Sequence, residues 1–228
     1  MASPAAVLEG AIRSKAECCQ RCPQLVSSRS QVVFGGGSAD AGLMLVGEAP
    51  GAREDKEGVP FVGASGKLLD QLLAGIGIGR DEVYVANVLK CRPPDNRDPR
   101  SDEIANCFEF LEQQVAIVAP TVVVTLGNFA SKLLRGEDTG ISVIRGTPEV
   151  RTVGSRAVWL LPVFHPAAAL YRRPNLAILR DDFALIPELI ARGAPTQPSG
   201  TAALDSAPAP KLGEESSEPD DRAQLDLF

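Results

Sequence analysis

The stretch Leu43-Met44-Leu45-Val46-Gly47-Glu48-Ala49-Pro50-Gly51 changes character halfway. Its large apolar residues form a run too short for an ordinary helix and read as a strand buried on both faces. The glycines and proline that follow end the strand and turn the chain away. An apolar run followed by a break recurs at 83–86, 122–126 and 158–163. Between these runs, 66–76, 102–118 and 128–134 read as helices, with Ser101 as N-cap ahead of Asp102 and Glu103. Residues 176–191 predict one more helix, bent at Pro187. Strands alternating with helices predict an α/β fold: a three-layer sandwich with a mainly parallel central sheet of about four strands flanked by helices.

In such sheets ligands bind beyond the carboxyl ends of the strands. Three unusual loops fall there, at 47–63, 87–99 and 165–174. The first places Phe61 between Pro60 and Gly63 on a stiff turn, where an aromatic ring suits stacking against a flat ligand. The second opens with Asn87, whose amide offers a donor and an acceptor side by side. The third holds His165, the only histidine of the chain, followed by Leu170, Tyr171, Arg172 and Arg173. Arginines there suit phosphates, and Leu170 and Tyr171 suit wedging into a base stack. The convergence of the loops predicts a single site.

The chain of 228 residues is long enough for one α/β domain with a full core. Arg13, Lys15 and Glu17 interrupt the N-terminal region, so neither a signal peptide nor a membrane span is expected, and the cytosol is the predicted location. Five cysteines in a reducing compartment point to metal binding or catalysis before disulfides. The net charge is −6, but between 195 and 228 seven acids face only Lys211 and Arg222. That segment accounts for most of the excess, so the total does not argue against a nucleic-acid partner. Rich in Pro, Ser, Ala and acids, it is too polar to offset its ordering entropy. The expected division is a folded domain over 1–193 and a disordered acidic tail over 194–228.

Cys19-Gln20-Arg21-Cys22 supplies a C-x-x-C pair, and Cys91 and Cys107 supply two more thiols. Four thiolates hold either tetrahedral zinc or a [4Fe–4S] cluster, and spacing alone does not decide. Cys18 is surplus.

The strings GEAPGAREDKEGVPFVGASGKLLD (47–70), NVLKCRPPDNRDP (87–99) and FHPAAALYRRP (164–174) resemble the signature segments of the family 4 uracil-DNA glycosylases. These are the iron–sulfur branch of the uracil-DNA glycosylase superfamily, and the resemblance runs from about Cys19 to Ile190. It implies a DNA repair enzyme that extrudes uracil from DNA and hydrolyses its N-glycosidic bond. It favours a [4Fe–4S] cluster on Cys19, Cys22, Cys91 and Cys107, the C-x-x-C spacing selecting Cys19 over Cys18. It implies that Phe61 stacks on the uracil, that Asn87 reads the O4 and N3–H edge, and that His165 donates to O2. The backbone around Glu48, Ala49 and Pro50 completes the pocket. Where better-known relatives have an aspartate this chain has Ala49, so Glu48 is the first choice to position water and Asp55 the second. The last residues, Gln224, Leu225, Asp226, Leu227 and Phe228, resemble the peptide with which bacterial DNA-processing proteins dock on the replicative sliding clamp. A monomer is expected. The competing readings are an iron–sulfur module without glycosylase action and a zinc-stapled hydrolase of free nucleotides.

Overall fold

A computed structural model gives the fold and describes residues 3–198. Six strands form one sheet: β1 (Gly36–Gly37), β2 (Leu43–Gly47), β3 (Tyr84–Asn87), β4 (Val122–Leu126), β5 (Glu149–Val153) and β6 (Arg156–Val163). Their order is β1-β3-β2-β4-β6-β5. The inner four are parallel, and β1 and β5 pair antiparallel at the two edges.

Side-chain alternation along each strand divides the core in two. Met44, Val46, Tyr84, Ala86, Val123, Val158 and Leu160 face a cluster built with Leu8, Ile12, Phe110, Leu111 and Val115. Leu43, Leu45, Val85, Val124, Leu161 and Val163 face another, with Leu69, Leu72, Leu73, Phe183 and Ile186. Helix Ser101–Val118 and the N-terminal helical segment cover the first face; Ala64–Gly75 and the C-terminal helices cover the second. Each leucine fully buried in these layers contributes roughly 1.5–3 kcal/mol of transfer free energy.

The sheet has two strands more than the four expected. Both are edges without an apolar run: β1 is a pair of glycines, and β5 alternates half-exposed with exposed residues over most of its length. Asn87 is the last residue of β3, not the first of a loop. The cap of Ser101–Val118 also differs from the expected Ser101: Arg100 occupies the N-cap, and the Glu103 carboxylate accepts from its amide at 2.9 Å. Pro187 does not bend one long helix. It lies in the first turn of a second helix, Ile186–Ala191, after Pro174–Phe183 has ended. Short helices at Ala52–Glu57 and Pro166–Tyr171 lie inside stretches read as loops.

Contacts with the folded body continue past 193. The Gln197 side chain pairs with the backbone of Ala157 in both directions at 3.0 Å. Among the described residues no helix is long and apolar enough to cross a membrane. Gln224–Phe228 lies outside the described residues.

Candidate functional site

All four parallel strands deliver their carboxyl ends to one place. Gly47 ends β2 directly beside Asn87, its register partner at the end of β3. Gly127 follows β4, and Phe164 and His165 follow β6. A Cβ on Gly47 would stand 2.4 Å from Asn87 Oδ1 and 2.8 Å from Phe61 Cζ, so both side chains rest on this glycine and only a residue without a side chain fits. The Phe61 and His165 rings stack with centroids 5.7 Å apart and planes 29° apart. Behind the imidazole, a Cβ on Gly127 would come within 3.1 Å of His165 Cβ. Phe61, Asn87 and His165 thus lie within one base-sized neighbourhood.

Phe61 adopts a left-handed backbone, φ 54°. Such a conformation costs on the order of 1–3 kcal/mol in a bulky residue and persists only where its surroundings impose it. Here they do. The Glu54 carboxylate accepts from the amides of Val62 and Gly63 at 3.0 and 3.1 Å, and Arg80 donates to the Pro60 carbonyl at 2.9 Å.

Asn87 is 2% exposed, and its Oδ1 is buried without a hydrogen-bond partner. An orphaned buried acceptor costs about 1–3 kcal/mol, a cost that a ligand donor would remove.

His165 caps Pro166–Tyr171, its Nδ1 accepting from the Ala167 amide at 3.1 Å. Because Nδ1 is the acceptor, the neutral ring carries its proton on Nε2. Burial lowers the pKa to about 4, so the ring is neutral at physiological pH, with Nε2–H as its donor.

Glu48 is half-buried at the end of the β2 turn, and its backbone carbonyl accepts from Leu89. Burial, reinforced by the charge of Asp98, pushes its carboxyl up to about 7. Ala49 is half-buried and Pro50 buried beside it; Pro50 has no N–H, so amide donors in this turn come from its neighbours. Asp55 stands apart from this group. Both its carboxylate oxygens accept from the Ser30 amide at 3.0 Å, and its charge is felt at the Cys91 thiol. Leu170 and Tyr171 are exposed, as are Arg172 and Arg173, which have no ion-pair partner among the described residues.

A second cavity is lined by Cys19, Cys22, Cys91 and Cys107 together with Leu25 and Arg29. Cys18 is exposed and is not among its walls. Every one of the four sulfurs receives an N–H donor: Cys19 from Arg21, Cys22 from Asn106, Cys91 from Arg29 and Cys107 from the Lys90 amide. Burial raises the thiol pKa at Cys22 and Cys91 and pushes Cys107 up to about 12. Among the described residues no three His, Cys, Asp or Glu side chains are grouped tightly enough to grip one metal ion.

Lys90 fills the space between the two sites. It is 2% exposed, and its ammonium donates to the Asn87 carbonyl at 2.7 Å and to Gln114 Oε1 at 2.5 Å. Burial lowers its pKa to about 8. Sequence reasoning overlooked Lys90, Glu54, Arg80 and Gly127. Of these only Gly127 carries a local signal, since it follows the 122–126 run as Gly47 follows the 43–46 run.

Residues 34–185 match the family model "Uracil DNA glycosylase superfamily". The chain is 46% identical over 184 residues to a type-4 uracil-DNA glycosylase of Sulfurisphaera tokodaii, covering 78% of this chain and 83% of that protein. It is 43% identical over 183 residues to one of Archaeoglobus fulgidus, covering 78% and 91%. A Thermotoga maritima type-4 enzyme is 43% identical over 165 residues, covering 72% and 84%.

Proposed function

The chain belongs to the uracil-DNA glycosylase superfamily, and from that premise we propose how its residues excise uracil from DNA and leave an abasic site. A base inside the duplex cannot reach a pocket at the strand ends, so the nucleotide rotates out. Phe61 stacks on the extruded ring, its strained backbone holding it at one height. Asn87 reads the Watson–Crick edge: Oδ1 accepts from N3–H, and the amide nitrogen donates to O4. The observation that carries this reading is the orphaned Oδ1, a buried acceptor whose missing partner uracil supplies.

Breaking the glycosidic bond leaves negative charge on the departing base, and the site accelerates the step by binding that charge better than it binds the starting nucleotide. His165 donates from Nε2 to O2 as the anion forms. A neutral donor serves because it needs no proton from solution and adds no buried charge before the reaction. One such donor contributes roughly 3–4 kcal/mol in comparable oxyanion sites. Glu48 positions the attacking water on the sugar side, and its carboxyl near neutrality suits that task. Asp55, committed to the Ser30 amide, is the weaker choice. Leu170 and Tyr171 occupy the gap left in the stack while Arg172 and Arg173 hold phosphates.

The four-cysteine cavity fits a [4Fe–4S] cluster on Cys19, Cys22, Cys91 and Cys107. Zinc needs its sulfurs about 2.3 Å from one point, whereas each thiolate of a cluster binds its own iron, so the ligands stand apart around a shared space. Donors to every sulfur favour thiolates, which coordination would produce by releasing the raised protons. Such a group supplies a cross-link between the N-terminal segment and the chain that follows Asn87. At the other end of the chain, Gln224–Phe228 offers Leu and Phe anchors to an apolar groove of the sliding clamp. Its deletion should abolish clamp retention in a pull-down and leave excision from short oligonucleotides unchanged; equal retention by both forms would refute it.

The test of the activity is an oligonucleotide with one uracil, incubated with the protein and treated with alkali. Scission at uracil that is lost in Asn87→Ala and His165→Ala supports the assignment of roles. Undiminished scission in either variant overturns it for that residue.

A further inference from the structure

Lys90 poses a problem that the excision mechanism does not absorb. A buried ammonium is costly unless paired and hydrogen-bonded, and here both its direct acceptors, the Asn87 carbonyl and Gln114 Oε1, are neutral. The nearest aromatic surface is Phe34, with the ammonium 6.0 Å from the ring centroid. An offsetting field would come from Cys107 and Cys91 as thiolates, not as the neutral thiols that burial favours. Its own amide donates to Cys107 Sγ at 3.3 Å, and the next residue is Cys91. A single residue therefore touches both sites, the cysteine cavity through its backbone and the amide-bearing end of β3 through its side chain. Gln114 completes the brace: its Nε2 donates to the Phe34 carbonyl at 2.8 Å and to the Tyr84 hydroxyl at 3.1 Å, which fixes Oε1 toward Lys90.

We propose that Lys90 is a positioning residue for uracil recognition, its ammonium clamping the Asn87 carbonyl from the cysteine side so that the Asn87 amide is held against Gly47 and Phe61. Asn87 is the last residue of β3; the N–H of the peptide that follows donates from Val88 to the Gly47 carbonyl at 2.9 Å, and Lys90 holds the carbonyl end of that same peptide. The side chain that meets uracil points to one side of this strand end, and the carbonyl held by Lys90 sets the orientation of the same residue. A small rotation there suffices to misplace the amide, and misplacement by about 1 Å can cost about 100-fold in rate.

The inference rests on the role given to Asn87, and a double-mutant cycle separates the two. Excision kinetics are measured for the native protein, Lys90→Met, Asn87→Ala and the double variant, with iron content and thermal midpoint recorded for each. Lys90→Met, similar in length but uncharged, is expected to lower kcat/KM about 30-fold in the native background and less than about 3-fold once Asn87 is alanine. Iron per chain should stay at the native level in Lys90→Met, because the hydrogen bond from the backbone amide of residue 90 to Cys107 Sγ survives the substitution. Equal losses in both backgrounds would overturn the clamp, as would iron falling in step with activity. An Asn87→Ala protein that excises at the native rate would instead overturn the recognition role itself. Should Lys90→Met fail to fold, Gln114→Met takes its place in the cycle. It keeps the lysine and removes the acceptor that steers it, and the same non-additivity is required of it.

Discussion

At the ends of β2 and β3 the Asn87 carboxamide oxygen is buried without a partner, Phe61 is held in a strained backbone, and His165 keeps a free donor. On the far side of Lys90 the cysteine cavity is arranged the other way, with a donor on each of its four sulfurs. Polar groups left unsatisfied in a fold of marginal stability persist where a ligand completes them. Groups satisfied by the chain itself belong to the scaffold. Under the proposed roles, the first site gives up stability for uracil and the second supplies it.

The contrast breaks most visibly at His165 and Asn87. Replacing either with alanine should lower kcat/KM by about 100-fold or more, the scale of a lost oxyanion donor. For Asn87→Ala the thermal midpoint should hardly fall and can rise, since an orphaned acceptor disappears, whereas that of His165→Ala, which also loses the cap on Pro166–Tyr171, should fall by a few degrees. A large drop in the midpoint of either variant would place that residue with the scaffold. Gly47→Ala probes the same pocket through its floor. The added methyl collides with both Asn87 Oδ1 and Phe61, so excision should fall about as far as in Asn87→Ala while the iron content holds. Retained activity would show that the two side chains yield without cost.

On the cysteine side the expected pattern reverses. If the cavity holds the proposed cluster, Cys107→Ala should remove its visible absorbance and lower the thermal midpoint by roughly 5–10 °C, because metal binding free energy is folding free energy. Excision assayed well below that midpoint should fall only several-fold. A colourless native protein containing zinc would break the comparison at its root, and complete loss of excision in a still-folded Cys107→Ala would make the cavity part of the catalytic apparatus.

The inner strands were legible in the sequence because parallel strands buried on both faces leave unbroken apolar runs, as at Val122–Leu126. β5 was not, since a half-exposed edge strand carries Glu149 and Arg151 between its apolar residues and looks like any polar loop. Asn87 and His165 could be picked out because each closely follows an apolar run, and Phe61 because it stands among glycines and prolines. Their supports could not. Glu54 and Arg80 matter through contacts to backbone atoms that no local pattern announces, and Lys90 acquires its role only when the fold buries it beside Gln114. Asp55 shows the converse: acidic and close to Glu48 in the chain, it is turned to Ser30 by the helix Ala52–Glu57.

Glu48 gives the sharpest expected dependence on pH. Its carboxyl titrates near 7 in the folded chain, against an ordinary value of 4.5, so between these two pH values the native state holds a proton that the unfolded chain has released. The stabilising contribution of the protonated acid is complete below the ordinary value and is lost as the pH rises through 7. Glu48→Gln, which never ionises, should therefore match the native thermal midpoint at pH 4 and exceed it at pH 8. If the carboxylate positions water, native kcat/KM falls as the pH drops below 7, and Glu48→Gln loses that limb along with most of its rate. His165 cannot supply the limb, because burial keeps it neutral down to about 4. An acid limb near 7 that survives in Glu48→Gln would therefore assign the titration to a third group and leave the attacking water without its proposed partner.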